Sequence, residues 1–164
     1  MPVAFRELLQ TFSQPRVDFA VVGGVALILQ GSARTTLALD ICYARNPDNL
    51  ARLAAALQPL HPRLRGAPAN LPFHLDSATL RQGLNFTLEC DAGAVDLLGE
   101  IVGIGDFAAV LPFCERMEVA GIELYVLGLA GLEQAKVAAG RLKDAVDIAE
   151  IRQIRSLRKD ACAG

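Results

Sequence analysis

The stretch that decides the fold is VVGGVALILQGSARTTLALDICYA, residues 21–44. A short apolar strand runs into Gly23 and Gly24, and the chain after them reads as a helix of about two turns closed by Gly31. A second strand follows, LALDICYA, in which Asp40 is the only charged residue. Because a carboxylate among apolar neighbours is costly to bury, we expect Asp40 to be there to hold something.

Composition describes a globular chain. The 164 residues suit one domain, 1–164, whose core must be aliphatic because 52% of the residues are hydrophobic and none is tryptophan. The net charge of −2 gives no bulk attraction to nucleic acid. The four cysteines lack the spacing of a metal site and are expected to be small buried residues in a reducing compartment. We see no signal peptide and no apolar run long enough to cross a bilayer, so we expect a soluble cytoplasmic protein.

Hydrophobic patterning predicts the order of the elements: helix, strand, helix, strand and helix, then two hairpins, then two helices. Asn46 is expected to be the N-cap of the third long helical segment. The hairpins are expected to turn at residues 91–93 and 120–121. Residues 61–73 contain three of the eight prolines and are expected to form a long loop. This order indicates an α/β or α+β domain, a mixed β-sheet flanked by helices.

Two features of these strands point to phosphate and metal chemistry. A strand that ends in Gly23-Gly24 and opens a helix presents free backbone N–H groups, which receive phosphate, although a tight turn alone also calls for glycine. Asp40 and Asp96, the latter in AVDLLGE, can converge on one side of a sheet. Two carboxylates in that setting bind Mg²⁺ together with phosphate oxygens, unless each is paired with a local arginine.

A group of cations lies near the C-terminus. Lys136, Arg141 and Lys143 surround a helix break at Gly140. Cations placed in this way can reach triphosphate oxygens. They can equally be surface charges that complement helix ends, and the sequence leaves both interpretations open.

These segments together resemble the minimal nucleotidyltransferases of the DNA polymerase β superfamily, and among them the small prokaryotic type grouped with AbiEii-like toxins and MNT-like antitoxins. The resemblance is carried by GG followed by RTTLALD, by GAVDLLGE and by KVAAGRLKD, between residues 23 and 144. It implies a polymerase-β-like core and transfer of a nucleoside monophosphate from an NTP to a hydroxyl of RNA, protein or a small molecule. It also implies two Mg²⁺ ions, which activate the acceptor hydroxyl and stabilise the departing pyrophosphate.

The resemblance assigns roles residue by residue. It makes Gly23 and Gly24 the phosphate turn, and it makes Asp40 and Asp96 the second and third acids of the metal site. It places Arg34 and Thr36 just before the metal strand. It offers three further candidates for phosphate contacts or for buttressing the core, which are Lys136, Arg141 and Lys143.

One position departs from the pattern. The Asp-x-Asp of the family falls at positions 38 and 40, where this chain has Ala38-Leu39-Asp40. The missing acid is the one that would bridge both metals, so this chain is expected to be impaired as an enzyme. Either alanine was introduced on purpose, which the otherwise intact site favours, or the chain is a natural degenerate member.

A second class of function stays open at this stage. The chain is small and offers no separate substrate domain, which suits a binding module such as the antitoxin half of a toxin–antitoxin pair. A catalytically degenerate nucleotide-binding protein is a further alternative. Nothing in the residues names the acceptor or the preferred base.

Overall fold

The computed structural model describes residues 3–163, so the predicted domain limits at residues 1 and 164 lie outside the described part. Within residues 3–163 the α-helices are α1 (Val3–Ser13), α2 (Gly23–Leu29), α3 (Pro47–Leu57), α4 (Ser77–Gln82), α5 (Phe107–Val110), α6 (Leu129–Ala139) and α7 (Ala145–Ala163). Short 3-10 helices span Gln58–Leu60, Leu111–Phe113 and Leu142–Asp144. None of the helices in this described part combines the length and the apolar character needed to cross a bilayer.

The strands form one large sheet and one small ribbon. The strands are β1 (Phe19–Val22), β2 (Ala38–Tyr43), β3 (Arg63–Leu64), β4 (Asn85–Cys90), β5 (Gly93–Leu98), β6 (Glu100–Ile101), β7 (Gly105–Asp106), β8 (Cys114–Val119) and β9 (Ile122–Leu127). The large sheet has the order β3-β4-β5-β2-β1-β9-β8, and β6 pairs with β7 alone. The β2–β5 and β1–β9 pairs are parallel, and the other pairs are antiparallel. The predicted mixed sheet flanked by helices is therefore confirmed.

The core explains why these segments take these forms. Every residue of β1 is buried, as expected for a central strand with helices on both sides. On β2, Leu39, Ile41 and Tyr43 are fully buried on one face, while Asp40 belongs to the other face because strand residues alternate. Helices α1, α3 and α4 pack on one another, and α2 packs on α6. The two sides of β2 therefore differ, one closing the core and the other carrying the carboxylate.

The sequence predicted helix ends and hairpin turns correctly where a capping side chain or a glycine determines the backbone conformation. The side chain of Asn46 accepts a hydrogen bond from the backbone N–H of Asn49 at 3.0 Å and caps α3. The hairpins β4–β5 and β8–β9 turn at residues 91–92 and 120–121, as predicted. Gly140 ends α6 in the left-handed conformation, with φ of +63°.

Three short elements were not predicted. Residues 61–73 are not loop throughout, because β3 adds the edge strand Arg63–Leu64 to β4. The β6–β7 ribbon and α5 follow the first hairpin, where no element was expected. Strands of two residues carry no hydrophobic period, so the pattern of a single sequence does not reveal them.

Candidate functional site

Asp40 and Asp96 are direct neighbours in the sheet. The parallel β2–β5 register places Asp40 opposite Asp96, and the β4–β5 register places Thr87 opposite Asp96 on the other side. Opposed residues on adjacent strands project to the same face. The two carboxylates that the sequence singled out, 56 positions apart along the chain, therefore meet on one face of the sheet.

Gly23 leaves room for this pair. It is the first residue of α2 and has a φ of +60°, a conformation that favours glycine. A Cβ atom at this position would lie 2.1 Å from Oδ2 of Asp40. The glycine is required for two reasons, the backbone conformation and the closeness of the carboxylate. The turn therefore packs directly against the Asp40 side chain.

The Asp40 carboxyl is held in an unfavourable environment. Burial raises its pKa most, and the adjacent Asp96 raises it further through its charge and a shared hydrogen bond. Arg65 and Lys136 act in the opposite direction, and the resulting pKa of Asp40 is about 7, against an ordinary value of 3.8. Such a carboxyl is only partly ionised at neutral pH, and a bound cation would favour its ionised form.

Arg65 adds a cation beside the two carboxylates, and the sequence analysis did not single it out. Its Nη2 donates to Oδ1 of Asp96 at 2.8 Å and to the carbonyl oxygen of Leu88 at 2.7 Å. The Nε of the same guanidinium is buried without a hydrogen-bond partner in the described part of the chain. Arg65 follows directly on β3, so only the unpredicted edge strand brings it to the site.

Lys136 and Arg141 face the same region but are already paired. Nζ of Lys136 lies 3.4 Å from Asp144 and 2.9 Å from Asp147, and Nε of Arg141 lies 2.7 Å from Asp144. Asp144 is almost fully buried, and its hydrogen bond with Arg141 and the charges of both cations lower its pKa against the effect of burial. The two cations are therefore fixed in place beside the carboxylates, and the Nη groups of Arg141 remain available.

The remaining predicted residues lie around the site. Thr36 packs against the start of α2, since a Cβ at Gly24 would approach its Oγ1 to 2.8 Å. Its hydroxyl donates to the carbonyl oxygen of Ala38 at 3.3 Å. Arg34 lies in the preceding loop and pairs with Asp147 rather than with the carboxylates. Lys143 is exposed and does not line the cleft.

A cleft of about 340 Å³ opens over the two carboxylates. Its lining includes Gly23, Asp40, Asp96, Lys136 and Arg141. It also includes residues that the sequence did not single out, most of them apolar, among them Asn85, Leu98, Glu100, Ile101, Leu132 and Ala135. A cleft with apolar lining residues and a few convergent charged groups is typical of a site for a small ligand.

Position 38 lies on the face of Asp40, two residues earlier on β2, and pairs with Ala94. Mg²⁺ needs only one or two protein carboxylates when phosphate oxygens complete its shell, so Asp40 and Asp96 fit one such ion. Between residues 3 and 163, no three His, Cys, Asp or Glu side chains come close enough together to hold a metal ion. The residues present therefore do not fit the two-metal arrangement expected from the sequence.

Comparison with known proteins identifies the fold. The sequence matches no protein-family model and no curated protein. The fold matches the lincosamide antibiotic adenylyltransferase LnuA with lincomycin bound (TM-score 0.63, 12% identity, 94% of this chain and 98% of that chain). It also matches TM1012 of Thermotoga maritima, described as a nucleotidyltransferase (0.57, 17%, 89% and 88%). A third match is ANT(2'')-Ia in complex with adenylyl-2''-tobramycin (0.56, 12%, 95% and 93%).

The chain therefore has the fold of these nucleotidyltransferases, which agrees with the predicted fold class. At these identities the likeness concerns the fold, so what the chain binds has to be argued from its own cleft.

Proposed function

We propose that this cleft is a nucleotidyltransferase centre that binds an NTP with Mg²⁺. The observation that supports the proposal best is the pairing of Asp40 with Asp96 across β2–β5, directly beside Gly23. The general reaction of such a centre transfers a nucleoside monophosphate to an acceptor hydroxyl and releases pyrophosphate. The resemblance to the AbiEii-like and MNT-like group belongs to the same proposal.

Each part of the cleft would contribute by position and charge. The N-cap of α2, Val22, provides no side-chain hydrogen bond to the first turn, so N–H groups at this end are available to phosphate oxygens. Lys136 and Arg141 add positive charge to the lining of the cleft. Asp40 and Asp96 would hold one Mg²⁺, which supplies charge neutralisation at the phosphates. The apolar lining residues then suit the base or the acceptor.

We propose further that Ala38 impairs transfer in this chain. The missing carboxylate lies on the face and strand of Asp40, so its loss leaves the acceptor side of the pair with one ligand fewer. Positioning of an NTP needs the glycine turn and the cations, which remain. Binding without efficient transfer is the expected behaviour.

The acceptor is proposed only as a hydroxyl compound. Two of the structurally similar proteins hold an antibiotic or its adenylylated form, lincomycin in LnuA and adenylyl-2''-tobramycin in ANT(2'')-Ia. A small-molecule hydroxyl is therefore one candidate, and RNA ends and protein side chains are the others.

Titration calorimetry of ATP, CTP, GTP and UTP with Mg²⁺ tests the proposal on this chain and on Ala38→Asp. We expect weak binding to this chain, at least tenfold tighter binding to the variant, and Mg-dependent pyrophosphate release only from the variant. Ala51→Asp is the matched control, because it adds the same charge at an exposed position of α3. Absence of NTP binding by both the chain and Ala38→Asp would refute the proposal.

A second candidate function is a binding module, such as the antitoxin of a toxin–antitoxin pair. It is favoured by large apolar side chains that stand almost fully exposed on segments bordering the site, namely Leu37 (93%), Leu142 (95%) and Val146 (77%). Exposed apolar groups of this size mark interaction surfaces when they cluster. Light scattering of the chain alone and co-expressed with the product of the adjacent gene tests it, and a lone stable monomer in both samples argues against it.

A further inference from the structure

Arg65 occupies a place beside the carboxylate pair that the proposed function does not use. The β3–β4–β5–β2 registers place one row across the sheet, in which Thr87 faces Asp96 and Asp96 faces Asp40. The backbone N–H of Arg65 donates to the carbonyl oxygen of Thr87 at 3.0 Å, so Arg65 stands at the outer end of this row. The guanidinium reaches along the row to Asp96.

The position of this guanidinium is fixed from two directions. Its Nη2 is shared between Oδ1 of Asp96 at 2.8 Å and the carbonyl oxygen of Leu88 at 2.7 Å. The side chains of Arg65 and Asp96 are only 32% and 26% exposed. A partly buried charge pair with this geometry is screened less by water and salt than a surface pair. The contact is therefore a permanent feature of the site and not an incidental surface pair.

The other nearby cation does not duplicate this role. Lys136 lies between Asp144 and Asp147, at 3.4 and 2.9 Å, so its charge is already shared by two carboxylates. Arg65 makes no salt bridge with any described carboxylate other than Asp96. Arg65 is thus the cation that balances the pair formed by Asp96 and Asp40.

The charges of the site then limit the number of divalent cations. Ionised Asp40, ionised Asp96 and Arg65 sum to −1, and one divalent ion brings the sum to +1. While no nucleotide is bound, a second ion would bring it to +3, with a guanidinium on one oxygen of Asp96 and, between residues 3 and 163, no cluster of three carboxylates that could hold a metal. Like charges a few ångströms apart repel strongly in a partly buried site.

We propose that Arg65 is a built-in counter-cation of Asp96, which takes the place of a second metal ion and limits this site to one divalent cation before a nucleotide adds the negative charge of its phosphates. The inference rests on the proposed function, because it concerns how the same cleft holds a nucleotide. Arg65 is a positioning residue in this account, since it acts through Asp96. It answers a question raised by Ala38, namely how the pair is neutralised without a two-metal arrangement.

Electron paramagnetic resonance with Mn²⁺ as the probe tests the inference by counting bound ions. The protein is titrated with Mn²⁺ alone, and then with Mn²⁺ and a non-hydrolysable ATP analogue. We expect one Mn²⁺ per wild-type chain in the titration with Mn²⁺ alone. Arg65→Gln removes the counter-charge, so the affinity for Mn²⁺ alone should rise about tenfold and the affinity for the metal-free analogue should fall about tenfold.

Two further variants separate charge from packing. Arg65→Lys keeps the charge and should bind Mn²⁺ within about threefold of wild type. Arg63→Gln is the matched control, because Arg63 lies two residues earlier, is 54% exposed and faces Asp91 at 4.0 Å. It should change Mn²⁺ affinity less than about twofold. Circular dichroism checks that each variant is folded. If Arg65→Gln does not fold, the number of Mn²⁺ ions bound by wild type and the Mn²⁺ affinity of Arg65→Lys test the inference.

The outcomes distinguish this inference from the proposed function. Two Mn²⁺ ions per wild-type chain in the absence of the analogue, or an unchanged Mn²⁺ affinity in folded Arg65→Gln, would overturn the role of Arg65 while leaving the nucleotide site in place. If neither Mn²⁺ nor the analogue binds to wild type or to Ala38→Asp, the proposed function itself fails.

Discussion

Replacing Asp40 with asparagine should stabilise the protein at neutral and alkaline pH. Asparagine keeps the size of the side chain and removes the charge that burial and Asp96 disfavour. The pKa of Asp40 is raised in the folded protein from 3.8 to about 7, so between these values the folded state binds a proton that the unfolded state has released. Stability therefore falls as the pH rises from about 4 to about 7, and it levels off above.

The size of the effect follows from the shift. A change of one pKa unit corresponds to 1.36 kcal/mol, so a rise from 3.8 to about 7 corresponds to at most about 4 kcal/mol. Relaxation and water at the cleft mouth reduce this, and we expect a gain of about 1–3 kcal/mol for Asp40→Asn at pH 8. At pH 4 the carboxyl of the folded wild type is protonated and resembles an amide, so the gain should fall to within about 0.5 kcal/mol of zero.

Urea denaturation of wild type and Asp40→Asn at pH 4, 6 and 8, with chelator present, measures this difference. Titrating groups that do not interact with Asp40 are common to both proteins and cancel in the comparison. The slopes of free energy against urea should agree, so that the shift in midpoint reports stability alone. In separate samples at pH 8, without urea or chelator, Asp40→Asn should lose Mg-dependent NTP binding, because one of the two carboxylates is gone.

Asp160→Asn provides the control, since it removes an exposed carboxylate from α7. Its effect should stay below about 0.5 kcal/mol at every pH. If Asp40→Asn is less stable than wild type at pH 8, or if its gain in the free energy of unfolding is as large at pH 4 as at pH 8, the electrostatic account of the site is wrong.

Two substitutions and a thiol titration test the turn, the support of the sheet and the cysteines. Gly23→Ala should lower the free energy of unfolding by about 2–3 kcal/mol and weaken NTP binding, because its Cβ would meet Asp40. Gly140→Ala is the control: its φ is similar but its Cβ would meet open space, so the loss should be about 1 kcal/mol. Asn49→Ala should lower the free energy of unfolding by about 2–4 kcal/mol, since this buried amide makes three hydrogen bonds to the backbone of Asp18 and Ala44; a loss under 1 kcal/mol would contradict it. Ellman's reagent at pH 8 should react quickly with one thiol in the native protein, the exposed Cys162, and with all four after unfolding. The reason is that burial raises the thiol pKa of Cys42 to about 12 and that of Cys114 to about 11. Two or more fast-reacting thiols in the native protein would be inconsistent with this.

The elements that sequence reasoning found are those whose signal is local. β1 is a continuous apolar run, β2 is an apolar run interrupted only by Asp40, α3 begins at a capping asparagine, and the two hairpins turn at residues that favour turns. The carboxylates Asp40 and Asp96 could be singled out for the same reason, since a charge within an apolar strand is visible in the sequence. The sequence only suggests that these two residues meet. The parallel register of β2 with β5 places them opposite each other in the sheet.

The residues that reasoning missed depend on contacts between distant segments. Arg65 precedes Asp96 by 31 positions and reaches it only because a strand of two residues joins the sheet edge. Asp147 meets Arg34, 113 positions away, and Asp144 is the buried partner of two cations, Lys136 and Arg141. No periodicity marks such pairs, and in sequence they look like surface charges.

The features retained at this site are difficult to explain without a ligand. Asp40 is held at a raised pKa, Gly23 adopts a left-handed conformation beside it, and Arg65 keeps a buried Nε unpaired among the described residues. Each of these lowers the stability of the folded chain, by amounts that matter against a typical total of about 5–15 kcal/mol. A sheet kept only as a scaffold would be more stable with a neutral side chain at position 40. Under the proposed function, Ala38 leaves this group one charge short of the pattern of the family and keeps the rest, which is expected if the cleft binds a nucleotide while the transfer step is weakened.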